Sequence, residues 1–135
     1  MADFKSVYKL DRFANDAGIV LRSLSDQGAE MELKIESRHL NAGGTAHGGA
    51  IFLLTDIAMA AMANYRHLGS VSIQSDIRFL GAAFEGDTLT ATAVEVFGRK
   101  SLYNSRVTVT RQNGDMIAIA EGLYYVKKNF KVIEE

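Results

Sequence analysis

Residues 41–65, NAGGTAHGGAIFLLTDIAMAAMANY, change character after a polar, glycine-rich start. The second part of the stretch is apolar for most of five helical turns and is interrupted mainly by Thr55 and Asp56. This pattern predicts one long helix that is buried on nearly all sides. Because a buried carboxylate is costly, Asp56 needs a physical reason for its place in the helix.

The apolar run also has to be compared with a membrane span. It is too short, because a span needs about 20 residues. A carboxylate near the centre of the run would in addition be costly in lipid. We therefore expect the core helix of a soluble protein, with no membrane as a partner.

Length and composition limit the classes of protein that come into question. The chain has 135 residues, a formal net charge of -1 and no cysteine. This predicts a single domain over residues 1–135, with an N-terminal extension (1–17), a core (18–126) and a C-terminal tail (127–135). The charge balance argues against a nucleic-acid partner, and the lack of cysteine excludes disulfides and thiolate chemistry. The N-terminus has no signal layout, so we expect a cytoplasmic protein.

The rest of the chain alternates between helical and strand periodicity. A short amphipathic helix is expected over residues 3–14, and the segments with strand patterns are 18–25, 29–35, 71–79, 87–97, 101–111 and 116–126. In the third of these strands, Val71, Ile73, Ile77 and Phe79 are expected on one face, and the last strand is expected to be central in the sheet. The sequences SDQG, FEG, GRK and QNGD provide short connections, which make consecutive strands antiparallel. The predicted fold is α+β, with the long helix wrapped by a curved, mostly antiparallel sheet of about six strands.

Two features of the helix can carry chemistry. Gly48 and Gly49 precede the apolar run, where N–H groups at a helix start lack partners and can hold an oxyanion. The alternative is that the two glycines only let the chain turn into the helix. Asp56 is either paired with a cation or capping another element, or it is a base or nucleophile tuned by an apolar wall. Its helical neighbours can form a slot for an acyl chain or aryl ring, namely Gly49, Phe52, Leu53, Met59 and Ala60.

The separation of these features decides how they can cooperate. Gly48 and Asp56 are eight residues apart, which is about 12 Å along a helix axis. A nucleophile and an oxyanion donor must both lie about 3 Å from the reacting group. If both serve one reaction, they come from different chains. A two-fold dimer with antiparallel helices would bring Gly48 of one chain beside Asp56 of the other.

Other polar residues leave more than one role open. The amide of Asn41 can orient water or a carbonyl, or it can stabilise an ordinary turn. His47 can act in acid–base chemistry, but we favour local hydrogen bonds that hold the loop. His39 and His67 show no metal-ligand spacing and are expected on the surface. We expect no metal site, and no motif for a phosphate or a dinucleotide appears.

Asn41, the run His47-Gly48-Gly49 and Asp56 together resemble hotdog-fold acyl-CoA thioesterases, most closely the phenylacetic-acid-degradation type. In that pattern an Asn stands six residues before His-Gly-Gly and an acidic residue nine after the His, as here. The resemblance extends over roughly residues 18–126 and includes the order of a strand pair, a central helix and four strands.

The resemblance implies a role for each of these residues. Asp56 would be the nucleophile or the general base that activates water. The Gly48 N–H would polarise the thioester carbonyl, with Gly49 in support. Asn41 would position the water or the carbonyl, and His47 would mainly support the loop. The family is commonly a homodimer or a dimer of dimers.

The resemblance extends to the contacts with substrate. A Ser or Thr on the next strand often assists in this family, and Ser72 is the best match. Basic residues near the later strands bind the CoA moiety, so Arg99 and Lys100 are candidates, although both also suit a solvated turn. No cofactor is implied, because CoA is part of the substrate.

The leading hypothesis is therefore an acyl-CoA thioesterase that acts on an apolar aryl or short- to medium-chain acyl group. The alternative is a non-catalytic acyl-CoA-binding protein of the same fold, in which Asp56 is structural. A hydratase or dehydratase is disfavoured, because that chemistry needs a His-based acid–base pair and no second polar group is suitably placed near His47.

Overall fold

The computed structural model describes residues 3–127, which form three α-helices, one short 3-10 helix (Ser37–His39) and one six-stranded sheet. The helices are α1 (Phe4–Tyr8), α2 (Arg12–Ala17) and α3 (Gly48–Arg66); the strands are β1 (Val20–Ser25), β2 (Gly28–Lys34), β3 (Ser70–Phe79), β4 (Thr88–Arg99), β5 (Leu102–Arg111) and β6 (Met116–Val126). The strand order is β1-β2-β4-β5-β6-β3, and every neighbouring pair is antiparallel. The α+β prediction of a long helix against a six-stranded antiparallel sheet is confirmed. The predicted C-terminal tail lies outside the described residues beyond Lys127.

The N-terminal extension differs from the prediction, because the single helix expected over residues 3–14 is two short helices. Asp3 caps α1 by accepting a hydrogen bond from the Ser6 N–H at 2.9 Å. Asp11 caps α2 by accepting from the Ala14 N–H at 3.0 Å. An aspartate side chain competes with the helix backbone for N–H groups, so Asp11 starts a new helix instead of continuing the first.

α3 is the core helix of this protein. It is long and apolar enough to cross a bilayer, but nine of its 19 residues are buried within the fold, and the helix contacts all six strands. The buried side chains are those of Ile51, Leu54, Thr55, Ile57, Ala58, Met59, Ala61, Met62 and Ala63. On the opposite side, Phe52, Leu53, Asp56 and Ala60 are half-buried and form one stripe.

β3 departs most from its predicted pattern. Its pairing with β6 shifts register between Ser72 and Gln74, so Ile73 is the extra residue of a β-bulge. A bulge of one residue reverses the alternation of faces. Ser72 and Ile77 therefore share the face toward the helix, whereas Val71 lies on the outer face with Tyr125. The prediction that Val71, Ile73, Ile77 and Phe79 share one face is wrong.

The sheet order corrects two further expectations. β3 and β4 follow each other in sequence but are not neighbours, because β3 pairs with β6 at the edge of the sheet. β6 is therefore the second strand from that edge and not central. The hairpins β1–β2, β4–β5 and β5–β6 form as their turn sequences predicted, and Gly114 in the last of these turns has the positive φ of 92° that glycine tolerates.

The close approach of α3 to the sheet predicts a difference between two adjacent alanines. Ala61 is fully buried, whereas Ala60 lies on the half-buried stripe. Ala61→Leu should lower the free energy of unfolding by about 1–3 kcal/mol, because a well-packed core has no room for the added carbons. Urea unfolding measures the effect, with Ala60→Leu as the matched control. Equal effects of the two substitutions would contradict this packing.

Candidate active site

The start of α3 presents one open amide. His47 caps the helix, and its Nδ1 accepts a hydrogen bond from the Gly49 N–H at 2.8 Å. The N–H groups of Ala50 and Ile51 donate to the His47 carbonyl. Within residues 3–127, the Gly48 N–H donates to no acceptor. The helix dipole makes this N–H a favourable place for negative charge. The Gly49 N–H is occupied, so any support from Gly49 comes from its small size.

The loop before α3 is held by its own polar groups. The Asn41 Oδ1 accepts from the N–H groups of Gly43 and Thr45, and its Nδ2 donates to the Thr45 hydroxyl at 3.1 Å. The Ala46 N–H donates to the Ala83 carbonyl at 2.8 Å, which fixes the loop against the β3–β4 connection. In this chain the Asn41 side chain stabilises a turn, and one of its two amide hydrogens has no acceptor among the described residues.

His39 is buried, with 5% of its surface exposed, and the prediction that it lies on the surface is wrong. Its Nε2 lies 2.7 Å from the Ala17 carbonyl, and its Nδ1 accepts from the Glu36 N–H at 2.9 Å. The ring therefore ties α2 to the loop before α3. The N–H of His47 donates to the His39 carbonyl, so the same tie reaches the start of α3. His67 is exposed, as predicted.

The carboxylate of Asp56 is half-buried. Within the described part of the chain it forms neither a salt bridge nor a hydrogen bond, which argues against an ion-paired or capping role inside this chain. Burial raises the pKa of Asp56 above its ordinary value, and the nearby charge of Asp11 raises it further. A carboxylate that is poorly solvated and unpaired is a stronger base than an exposed one.

Tyr124 is a residue near Asp56 that the sequence patterns did not single out. It is buried, and its hydroxyl donates to the Asp56 carbonyl oxygen at 3.2 Å, which links β6 to the middle of α3. Burial and the Asp56 charge both raise the pKa of Tyr124, so the hydroxyl stays protonated and remains a donor. Its position on the inner face of β6 could have been found from strand alternation, but its contact with the helix could not.

Ser72 lies on the same side of the molecule as Asp56. It stands opposite Tyr124 in the β3–β6 pair, and its hydroxyl is 3.1 Å from that of Ser75. The bulge at Ile73 makes this possible, because it turns Ser72 to the inner face. Tyr124 therefore contacts the backbone of Asp56 on α3 and stands opposite Ser72 on β3.

The predicted acyl slot is reduced by one residue. Phe52 and Leu53 lie on the half-buried stripe with Asp56, as does Ala60. Met59 does not, because it is fully buried, and its sulfur would lie 2.8 Å from a Cβ placed on Gly122. Met59 is a core residue, and the prediction that it shares the open face with Asp56 is wrong.

Arg99 at the end of β4 and Lys100 in the turn between β4 and β5 are exposed. This turn lies toward the C-terminal end of α3, where Glu95 forms an ion pair with Arg66 at 3.3 Å. Gly48 is at the opposite end of the helix. One chain therefore does not bring these basic residues to the open amide.

The unpaired carboxylate leads to a prediction about stability and pH. A raised pKa in the folded state means that the folded protein holds the Asp56 proton more tightly than the unfolded chain does. Stability contributed by this group is thus lost as pH rises through the folded pKa. Asp56→Asn should raise the melting temperature at pH 7, and the gain should shrink as pH falls toward the ordinary pKa of aspartate.

Thermal melts of the two proteins from pH 3 to pH 8 test this prediction. Asp76→Asn, on the outer face of β3, is the matched control and should show no such gain. A loss of stability in Asp56→Asn at pH 7 would mean that the carboxylate has a stabilising partner after all.

Comparison with known proteins gives the family. A family model described as the thioesterase superfamily matches residues 43–118, which is more than half of the chain. The acyl-coenzyme A thioesterase PaaI of Escherichia coli is 31% identical over 117 residues, which are 87% of this chain and 84% of that protein.

Solved structures agree with this match. The structure of E. coli PaaI, from the phenylacetic acid degradation operon, has a TM-score of 0.90 at 28% identity and covers 94% of this chain and 92% of that one. A Streptococcus mutans protein bound to acetyl CoA has a TM-score of 0.79 at 27% identity, over 84% of this chain and 92% of that one. The resemblance drawn from Asn41, His47-Gly48-Gly49 and Asp56 is confirmed at the level of the family. The chain belongs to the thioesterase superfamily and is a thioester hydrolase with the hotdog fold of the PaaI type.

Proposed function

We propose that this protein hydrolyses acyl-CoA thioesters with Asp56 as the base or nucleophile and the Gly48 N–H as the oxyanion donor. The observation that carries the proposal is the pair of unsatisfied groups on α3, an unpaired half-buried carboxylate and an open amide at the helix start. The names of the relatives support the substrate class, since E. coli PaaI is an acyl-coenzyme A thioesterase and the S. mutans structure holds acetyl CoA.

The chemistry follows from these two groups. The Asp56 carboxylate takes a proton from water, and the water oxygen bonds to the thioester carbon; alternatively, the carboxylate itself forms that bond and water releases the acyl group afterwards. The carbonyl oxygen gains negative charge, which the Gly48 N–H stabilises. The C–S bond then breaks, and the thiolate of CoA leaves and takes up a proton.

The two groups cannot meet within one chain, because about 12 Å of helix separates them. The position of β3 indicates how a second chain can bring the two groups together. A Cβ on Gly48 would lie 3.2 Å from the ring of Phe79, at one end of β3, whereas Ser72, near the other end, lies with Tyr124 beside Asp56. Antiparallel pairing of β3 with its symmetry mate would place Phe79 and Gly48 of one chain toward the Asp56 end of the other.

The outer edge of β3 supports such a pairing. β3 is the last strand of the sheet, so one of its edges has no strand partner among residues 3–127. Its exposed apolar side chains include those of Val71, Ile73 and Phe79. A long apolar edge strand invites association unless another strand covers it. We infer a homodimer with two composite sites. Two such dimers can still associate through the surface that the β3 pairing leaves free.

The other predicted residues take supporting places in this proposal. His47 holds the start of α3 through Gly49, and Asn41 uses its remaining amide hydrogen toward water or the carbonyl. Phe52 and Leu53 provide an apolar wall beside Asp56, and Ser72 assists at its carboxylate. The turn that carries Arg99 and Lys100 reaches the CoA moiety from the second chain.

The role of the Gly48 N–H can be tested by substituting proline, which has no backbone N–H. Gly48 is the first residue of α3, a position that proline favours, and His47 has φ -62° and ψ 137°, which suit a residue before proline. Gly48→Pro should therefore fold but lower kcat by about 100- to 1,000-fold, because it lacks the N–H. Gly48→Ala is the matched control, since it adds the same Cβ beside Phe79 and keeps the N–H.

Steady-state hydrolysis of a panel of acyl-CoA thioesters by these variants and by Asp56→Asn is the measurement. Asp56→Asn should lower kcat by at least about 100-fold. Activity near that of the wild type in Asp56→Asn would reject the mechanism. Tight thioester binding without turnover by the wild-type protein would instead favour a non-catalytic acyl-CoA-binding protein.

Mixed dimers test the sharing of the site. A dimer of one Asp56→Asn chain and one Gly48→Pro chain keeps one intact pair, the glycine amide of the first chain with the aspartate of the second. Random assembly of equal amounts should restore about one quarter of the wild-type rate, because half of the dimers are mixed and each has one of two sites. No recovery in dimers verified as mixed would show that each chain supplies a whole site.

A further inference from the structure

A groove of about 360 Å³ lies between α2 and the first turns of α3. This volume is within the range of small-ligand pockets. α2 provides one wall, and the loop before α3 provides another. Its lining includes Phe13, Ala17, Leu33, His39, Gly49 and Leu53.

The walls of the groove are fixed by hydrogen bonds. The buried His39 ring joins the Ala17 carbonyl to the Glu36 N–H. The Arg38 guanidinium binds the Asp16 carbonyl and forms an ion pair with Glu36 at 2.9 Å. α2 is thus held to the loop by its C-terminal end. Because these contacts keep α2 at a set distance from α3, the groove is preformed.

The groove suits an apolar ligand. Its floor includes the buried Leu33 and the half-buried Leu53, and alanines at positions 17 and 50 leave space between the two helices. The rings of His39 and His47 already make hydrogen bonds to the backbone. At the mouth, Phe13 is 72% exposed, the highest value among the large apolar residues of the described chain.

The position of the groove relates it to the reaction. Gly49 and Ala50 follow Gly48 directly, so the groove begins beside the amide that is proposed to hold the thioester oxygen. Leu53 is five residues after Gly48, which is about 7.5 Å along the axis of α3. An acyl chain that starts at the carbonyl carbon can therefore run along α3 into the groove.

We propose that this groove binds the acyl part of the substrate and that Phe13 closes over it, so that α2 sets the preference for acyl-chain length. The inference rests on the proposed acyl-CoA hydrolysis. α2 lies outside residues 43–118, the part that matches the superfamily. The reaction is thus assigned to the part of the chain that the superfamily model matches, and the choice of acyl group is assigned to α2.

The test is the ratio of kcat/KM for octanoyl-CoA to that for acetyl-CoA. Phe13→Ala should lower this ratio by about tenfold, which corresponds to losing the burial of about two methylene groups. Ala17→Leu should lower the ratio at least as much by filling the groove, because the single methyl group of acetyl-CoA stays at the start of the groove, whereas the octanoyl chain runs along it. Phe97→Ala, an exposed phenylalanine at the far end of the sheet, is the matched control and should leave the ratio unchanged.

The outcomes separate the two proposals. A wild-type protein that hydrolyses no acyl-CoA defeats the proposed function. A wild-type protein that is active, with Phe13→Ala keeping the wild-type ratio within twofold, defeats the groove alone. If Phe13→Ala changes the oligomeric state in gel filtration and leaves the ratio intact, Phe13 is a contact between copies of the chain and the groove proposal is overturned. Because Phe13 is exposed, its substitution remains informative even if Ala17→Leu does not fold.

Discussion

The packing of α3 against one face of the sheet is the constraint on which the other features depend. The helix has apolar side chains on nearly every side, and the strands can cover only the side that faces them. The uncovered stripe contains Asp56, whose carboxylate is poorly solvated and unpaired among the described residues. The cost of keeping it there is consistent with a functional role, because active sites commonly sacrifice stability for reactivity.

The same packing keeps the proposed oxyanion donor and the carboxylate of one chain apart. α3 holds the open amide at its start and the carboxylate two turns later, and a helix is too rigid to bring them together. β3 repeats this separation, with Phe79 beside Gly48 and Ser72 on the Asp56 side. A two-fold axis near the middle of β3 would resolve both separations at once, since it exchanges the ends of the strand and the ends of the helix.

Much of the fold could be predicted from local patterns. The strand alternation of β2 and β5, the turn at Asn113-Gly114 and the apolar run of α3 all depend on residues close together in sequence. The predictions that were wrong depend on distant contacts. The face of Val71 was misassigned because a bulge is set by pairing with β6, and His39 was misassigned because its partner, Ala17, belongs to another element.

The sequence by itself determined the helix, its lone carboxylate, its glycine start and the eight residues between them, because periodicity and axial rise are local properties of the backbone. The family resemblance also rested on this short stretch. Only the tertiary structure decided that Asp56 lacks a partner among residues 3–127, that Tyr124 holds its backbone and that α2 forms a groove beside Gly49. These facts depend on which side chains from remote segments fill the space around α3, and local sequence does not contain that information.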